Sequence, residues 1–554
     1  MVREPLPGVV YPTAEYAARY KAASVLGETT MGQALHEAAK RHADRVALVG
    51  PGLRMRYRDL DEITDKVAAA LLRLGLRPLD RVMMQIGNTP DFFLAAYGCF
   101  KAGLVPVCTL AAHREAEIGF LAPFTGARAH LVQGNLAKFD LAGFAVDLQP
   151  KSGVEHIIVT GGAKRPGVLS LDALIAGVDA AEARRAVEAL DIDPWNVAIF
   201  QLSGGTTGLP KVIPRFHNDY LYNSLAIADW VGVTETTVVY WPLPAVHNAG
   251  MVGFNLPTHL KGGTVCVTEQ VDPDTFLSTI QRERVTYTGG ALPIVVRAIE
   301  RQRANPYDIS SIERFISLDS SPMIERELGV PAYHIFGMAE GVVMFTRPGD
   351  PAPVRAEMIG QPVSRHDEIR LAKPGTDDPV AEGEDGEFCC RGPYTLHGYY
   401  KAPEHNQKAF TRDGMYRSGD LMRAVRVEGK LYFKFVGRIK DNIDRGAEKI
   451  SAEEIETYVG RHPAVASVAA IGMPDPTYGE RVCVYLILNA GRAAPSIAEL
   501  GEFLKQQGLA KFKCPERIEV MENFPVTKVG KVSKALLRAD ISQKLEQERL
   551  RKAG

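Results

Sequence analysis

No pair of cysteines in this chain has the Cys-x-x-Cys spacing of a zinc ribbon or a dithiol redox site. The seven cysteines stand scattered at 99, 108, 266, 389, 390, 483 and 514. That pattern argues against a disulfide framework or a structural metal and predicts reduced, buried thiols. The adjacent pair Cys389–Cys390, in "GEFCCRG", reads as the two faces of one strand, because side chains alternate along a strand. Also missing is any run of the ~20 apolar residues that a membrane span requires. The N-terminal "MVREPLPGVVYPTAEYAARYK" lacks the apolar centre of a secretory signal. The expectation is a cytoplasmic protein with no membrane partner. Charge of either sign is not in excess: 65 Lys and Arg against 66 Asp and Glu leave −1. No global field therefore favours nucleic acid. Internal repeats and low-complexity tracts are absent as well.

What is present is a long chain of ordinary globular composition. Its 554 residues are 46% hydrophobic and 24% charged, too many for one core, so several subdomains are expected. From about 30 to 300, helical and strand patterns alternate. "TMGQALHEAAKRHADRVALVG" reads as helix then strand, and "DFFLAAYGCFKAGLVPVC" as helix, glycine stop and buried strand. Repeated β–loop–α units predict an α/β fold with mostly parallel sheets covered by helices. After about 360 the pattern changes to short strands between polar turns ("DEIRLA", "GEFCCRG", "LYFKFVGR"), a β-rich subdomain. After "GRIKD" (437–441) a further α+β unit begins. There Ser451 and Glu454 have capping-box spacing, and Ile455, Tyr458 and Val459 share one helix face. The last 54 residues carry twelve Lys and Arg against seven Asp and Glu. Most of that excess reads as a solvated surface.

One stretch points to chemistry. "SGGTTGLPK" (203–211) follows the apolar run "NVAIFQL". A glycine-rich loop after a buried strand exposes backbone N–H groups suited to phosphate oxygens. Ser203, Thr206 and Thr207 add hydroxyls, and Lys211 adds a positive charge. A Walker loop places Ser or Thr directly after its lysine to hold magnesium. Here Val212 follows Lys211, which argues against a P-loop NTPase.

The loop resembles the signature of the acyl-adenylate-forming enzymes: acyl-CoA synthetases, nonribosomal peptide adenylation domains and luciferases. Seven more stretches resemble that family's motifs, in its order. They are "YGCFKAGLVPVC" (97–108), "PLPAVHNAG" (242–250), "HIFGMAEG" (334–341), "GEFCCRGPYTLHGYY" (386–400), "YRSGDL" (416–421), "GRIKDNIDRGAEKIS" (437–451) and "VTKVGKVSK" (526–534). The resemblance implies a large N-terminal domain over 1–436, with two mostly parallel sheets and the β-rich subdomain at about 360–436. It also implies a hinge at 437–441 and a small mobile α+β domain over 442–554.

It implies roles as well. The reaction joins a carboxylate to AMP with loss of pyrophosphate, and its transition state gathers negative charge that positioned cations and N–H donors stabilise. Ser203, Gly204, Thr206, Thr207 and Lys211 would hold the β- and γ-phosphates of ATP. Glu340 would ligate Mg²⁺. Phe336, where many relatives have Tyr, and Gly337 would border adenine. Asp420 would accept from both ribose hydroxyls, with Arg438 a second ribose or phosphate contact. Lys531 would bridge the attacking carboxylate and the α-phosphate, a role suited to a flexible point charge on a mobile domain. Lys528 and Lys534 beside it read as solvated. Lys440 stands at the hinge position, and His247 at the carboxylate entrance.

The acid itself is read from residues after 240. Where amino-acid-activating relatives carry an Asp for the α-ammonium, this chain has Asn248. An amide suits an ortho hydroxyl or amine on an aromatic ring. "HN" here resembles 2,3-dihydroxybenzoate- and salicylate-activating enzymes, so the chain resembles the aryl-acid–AMP ligases, which load an aryl carrier protein. Two departures stand out. Ala249 and Gly253 replace a Tyr and a Ser of the dihydroxybenzoate enzymes, which leaves space. "SLDSSP" (317–322) replaces a small "GGA"-like run. Asp319 there would meet a substrate amine or extra hydroxyl, as in a hydroxyanthranilate, or else cap a helix or pair with a protein base. Val343 would line the aryl pocket. Three readings stay open: transfer to a phosphopantetheine carrier protein in trans, transfer to free CoA, and a non-enzymatic adenylate sensor. Retention of Lys531, Glu340, Lys211 and Asp420 disfavours the last. No carrier-like serine follows 534.

Overall fold

The computed structural model describes residues 2–162, 165–203, 210–317, 320–439, 442–446, 448–525 and 532–553. Among them the strands form sheets of nine, seven, five and four members. The seven-stranded sheet runs Leu169–Ser170, His156–Thr160, Ala127–Gln133, Arg81–Gln85, Val105–Cys108, Val197–Ser203 and Lys211–Phe216. All its pairings are parallel except the last. The nine-stranded sheet is parallel from Ala332–Met338 through Arg314–Ser317, Tyr287–Gly290, Val238–Tyr240 and Thr264–Cys266 to Val46–Gly50, with antiparallel strands at both ends. The two parallel sheets and covering helices agree with the α/β expectation.

Local sequence explains these units. Thr30 and Gln33 close a reciprocal capping box at the start of helix Met31–Arg41, satisfying two backbone N–H groups that a helix start leaves orphaned. Helix Pro90–Ala102 opens with proline and stops at Gly103, whose φ of 68° is left-handed, a conformation that costs glycine nothing. The following strand Val105–Cys108 is buried on both faces, as parallel strands between helix layers are.

The antiparallel four-stranded sheet comprises Glu368–Ala372, Asp385–Arg391, Tyr416–Val427 and Lys430–Arg438. On it Cys390 packs with Phe388 and Tyr416, and Cys389 with Ala372 and Met415. Both thiols are free and buried, so the pair is two faces of a strand.

The last sheet joins Glu448–Ser451, Asn442–Arg445, Gly479–Leu488 and Val465–Asp475, with Arg517–Val520 parallel to Gly479–Leu488. Helix Ala452–Val459 buries Ile455 and Val459 against it, with Tyr458 half-buried beside them. Glu454, with its capping-box spacing from Ser451, directs its carboxylate to Lys513 Nζ. Among the described residues, no helix is long and apolar enough to cross a membrane.

Candidate active site

Ser203 ends the parallel strand Val197–Ser203 and Glu340 stands just past the parallel strand Ala332–Met338, at the usual ligand edge of an open α/β sheet. Strand Val197–Ser203 ends at Ser203, whose Cα partner across the antiparallel pair is Lys211. The glycine loop therefore joins two neighbouring strands, whereas a Walker loop joins a strand to a helix. Gly204, Thr206 and Thr207 lie outside the described residues, as do Asp319, Lys440 and Lys531.

Lys211 Nζ donates to His405 Nε2 at 3.2 Å and lies 4.3 Å from the centre of the Tyr399 ring. The Tyr399 hydroxyl donates to Glu340 Oε1 at 2.9 Å and lies 2.8 Å from the Tyr416 hydroxyl. Glu340 is buried, in a two-residue turn between strands Ala332–Met338 and Gly341–Phe345. A register shift at Gly337/Met338 precedes that turn, and such bulges re-aim side chains. Two further bonds fix the turn: Leu396 N–H donates to the Glu340 carbonyl at 2.6 Å, and Arg215 Nη1 to the Ala339 carbonyl at 3.0 Å. Arg215 is fully buried, with its Nε 3.3 Å from Asp219 Oδ1. Burial raises the Asp219 carboxyl to about 6, against the opposing pull of Arg215.

Phe336 sits on the same strand, its ring centre 5.7 Å from that of Phe388 and 6.2 Å from that of Phe435. Gly337 is exposed and is the Cα partner of Val343, which is buried in the main core. Asp420 follows Gly419, whose φ is 73°, so "SGD" needs its glycine for the backbone turn. The Asp420 N–H donates to Ser418 Oγ at 2.9 Å. Arg438 is the Cα partner of Asp420; its side chain lies outside the described set.

The segment after strand Val238–Tyr240 builds a second wall. Asn88 holds it from outside: its Oδ1 accepts from Ala245 N–H at 2.7 Å and its Nδ2 donates to the Leu243 carbonyl at 2.9 Å. Ala249–Asn255 winds as a π-helix, a rare form that recurs at functional sites. Asn248 stands at its N-terminal end without capping it, and the Asn248 Oδ1 is buried with no hydrogen-bond partner among the described residues. A Cβ added at Gly253 would meet nothing within 4 Å. Below lie Trp241, Phe254 and Tyr287, stacked at 3.9 and 4.6 Å. Tyr287 OH donates to the Gly253 carbonyl at 3.0 Å. His247 Nε2 lies 3.9 Å from Glu448 Oε1, on the hairpin of the C-terminal sheet.

The structure thus brings Lys211 and Glu340 together, and brings His247 against the C-terminal unit. Reasoning from sequence passed over the groups that join them. Tyr399, Tyr416 and His405 stand within or beside the recognised motifs, but no spacing rule marks them. Arg215 and Glu448 were likewise unmarked.

Comparison with known proteins gives the family of the chain. Residues 35–400 match the AMP-binding enzyme family, and 454–531 match the AMP-binding enzyme C-terminal domain. A 2,3-dihydroxybenzoate-AMP ligase of Bacillus subtilis (strain 168) is 37% identical over 543 residues, covering 96% of this chain and 97% of that one. A salicylyl-CoA synthase / salicylate adenylyltransferase of Streptomyces sp is 36% identical over 538 residues, covering 95% and 96%. Among solved structures, apo MbtA of Mycobacterium smegmatis matches with a TM-score of 0.73 at 32% identity, over 96% of this chain and 98% of that one. With these matches over most of its length, the chain belongs to the AMP-binding, acyl-adenylate-forming enzymes.

Proposed function

We propose that the protein adenylates a substituted aromatic acid, a hydroxy- and/or aminobenzoate. It then passes the aryl group to the phosphopantetheine thiol of a carrier protein in trans, in nonribosomal peptide or siderophore-like biosynthesis. The observation that carries this reading is Asn248. An α-ammonium calls for a carboxylate at this wall; a neutral amide oxygen accepts from a ring hydroxyl or amine ortho to the carboxylate. A buried acceptor left unpaired costs about 1–3 kcal/mol, and an ortho donor supplies the missing bond.

In the first step a carboxylate oxygen attacks the α-phosphorus of ATP, the bond to the β-phosphate oxygen breaks, and pyrophosphate leaves with no net proton transfer. Lys211 and the 203–209 loop hold the β- and γ-phosphates, Asp420 and Arg438 the ribose, and Phe336 and Gly337 the adenine. Lys531 bridges carboxylate and α-phosphate, and His247 stands at the acid's entrance. Mg²⁺ suits Glu340, because this ion is commonly held by one or two carboxylates together with substrate phosphates. When bound it neutralises triphosphate charge. In the second step the thiolate sulfur attacks the acyl carbon and AMP leaves; Lys440 is the pivot between the two steps. Asp319 meets a further amine or hydroxyl of the ring. Ala249, Gly253 and Val343 shape the ring pocket. Free CoA as acceptor is the second reading, favoured by the Streptomyces relative, which is a salicylyl-CoA synthase.

Pyrophosphate exchange against substituted benzoates and α-amino acids tests the reading. Ortho-hydroxy- or ortho-aminobenzoates should exceed benzoate by about tenfold, the worth of one buried hydrogen bond, and Asn248→Ala should erase that preference. Exchange with α-amino acids and none with aryl acids refutes it. Gly253→Leu, which fills the open space, should raise KM for ring-substituted acids about tenfold and leave benzoate unchanged, since overpacking costs about 1–3 kcal/mol. Product analysis with CoA and with a phosphopantetheinylated carrier decides the acceptor.

A further inference from the structure

Between Lys211 and Glu340 lies one side chain that touches both. Tyr399 is 1% exposed. Its backbone is clamped by Asn406, whose Oδ1 accepts from Tyr399 N–H at 2.8 Å and whose Nδ2 donates to the Tyr399 carbonyl at 3.0 Å. The ring faces the Lys211 ammonium at 4.3 Å, the geometry of a cation over an aromatic face. The hydroxyl donates to Glu340 Oε1 at 2.9 Å. With that proton committed to Glu340, the Tyr416 hydroxyl 2.8 Å away serves as donor to Tyr399.

His405 completes the cradle. Its ring centre is 4.9 Å from that of Tyr399, and its Nε2 accepts a hydrogen bond from Lys211 Nζ at 3.2 Å. An ammonium only donates, so His405 must present an unprotonated Nε2. Lys211 has a flexible four-carbon stem, and these two contacts help to orient its ammonium.

We propose that Tyr399 and His405 are positioning residues for the triphosphate end of adenylation. The Tyr399 ring and His405 Nε2 aim Lys211, while the Tyr399 hydroxyl aims Glu340, so a cation and a carboxylate reach ATP at a fixed spacing. This rests on the adenylation reading above, and supplies what that reading lacks: the physical link between two charges about 130 residues apart in sequence.

The test combines Mg·ATP binding by titration calorimetry, which needs no acid, with pyrophosphate exchange. His405→Leu should weaken ATP binding and raise KM for ATP about tenfold, the size of one charge-assisted hydrogen bond, with kcat changed less than about threefold. His405→Gln, which keeps an acceptor for Lys211, should recover most of that loss. Tyr399→Phe keeps the ring under Lys211 and should leave ATP affinity within about twofold, while raising the Mg²⁺ concentration for half-maximal exchange about fivefold or more. Thermal unfolding within a few degrees of the wild type in all three shows that the fold is intact. ATP affinity unchanged in His405→Leu, or His405→Gln as impaired as His405→Leu, overturns the role of His405. Unaltered Mg²⁺ dependence in Tyr399→Phe overturns that of Tyr399. A wild type that binds Mg·ATP but exchanges with no aryl acid removes the proposed substrate, while the calorimetric series still decides the His405 role.

Discussion

Glu340→Gln should slow aryl-acid-dependent pyrophosphate exchange by on the order of 10²–10³-fold in kcat/KM, the loss typical of removing one preorganised electrostatic group. That corresponds to roughly 3–4 kcal/mol at the transition state. The amide keeps the volume of the side chain and an oxygen that accepts from the Tyr399 hydroxyl, now 2.9 Å from Glu340 Oε1. Leu396 N–H and Arg215 Nη1 still hold the backbone of the turn. What disappears is the negative charge, so the defect should fall on Mg²⁺ dependence and the chemical step, with melting temperature little changed. A Gln variant whose exchange rate and Mg²⁺ dependence both stay within threefold of the wild type would show that Glu340 is not the metal ligand.

The second large effect concerns a buried group of three charges. Lys513 is buried between Glu117, at the start of helix Glu115–Thr125, and Glu454 on helix Ala452–Val459, with Nζ–O distances of 2.8 Å to each. The three side chains are 9%, 0% and 5% exposed. Burial alone would push the Glu117 carboxyl up; Lys513, the largest opposing influence, more than offsets it and holds the carboxyl below its usual value. His113 is itself lowered to about 4 by burial, so it is neutral at pH 7 and Lys513 supplies the counter-charge.

Lys513→Met would leave two buried carboxylates facing each other, a change that costs about 3–5 kcal/mol. The contact joins the C-terminal sheet unit to the seven-stranded part of the molecule, so that unit should melt earlier than the rest in a calorimetric scan. Adding Glu117→Gln to Lys513→Met should restore much of the loss. A scan of Lys513→Met that superposes on the wild type would contradict this. The pH dependence follows from the directions. The Lys513 proton is held more tightly in the folded state, so its contribution is complete at neutral pH and is lost only as pH rises through the folded value. The lowered Glu117 contributes above its unfolded value and loses that contribution as pH falls through the folded one.

Much of this was legible in the chain because it is local. The glycine stop marks the end of helix Pro90–Ala102, and the helix-then-strand pattern from Thr30 on marks Met31–Arg41 and Val46–Gly50. The Leu-Pro-Lys-Val ending of the glycine loop speaks against a Walker site before any coordinates. The hairpin across Ser203 and Lys211 adds the second reason, and that one depends on strand pairing.

The identity and order of the motif residues, and the replacement of an acid by Asn248, were determined by sequence alone, because residue type sets what a side chain can donate, accept or carry as charge. That Tyr399 stands between Lys211 and Glu340, that Gly253 opens onto space, and that Lys513 crosses to Glu117 were decided only by tertiary structure. Those relations join residues up to 396 positions apart. Their geometry comes from how sheets and turns pack, which no local periodicity encodes.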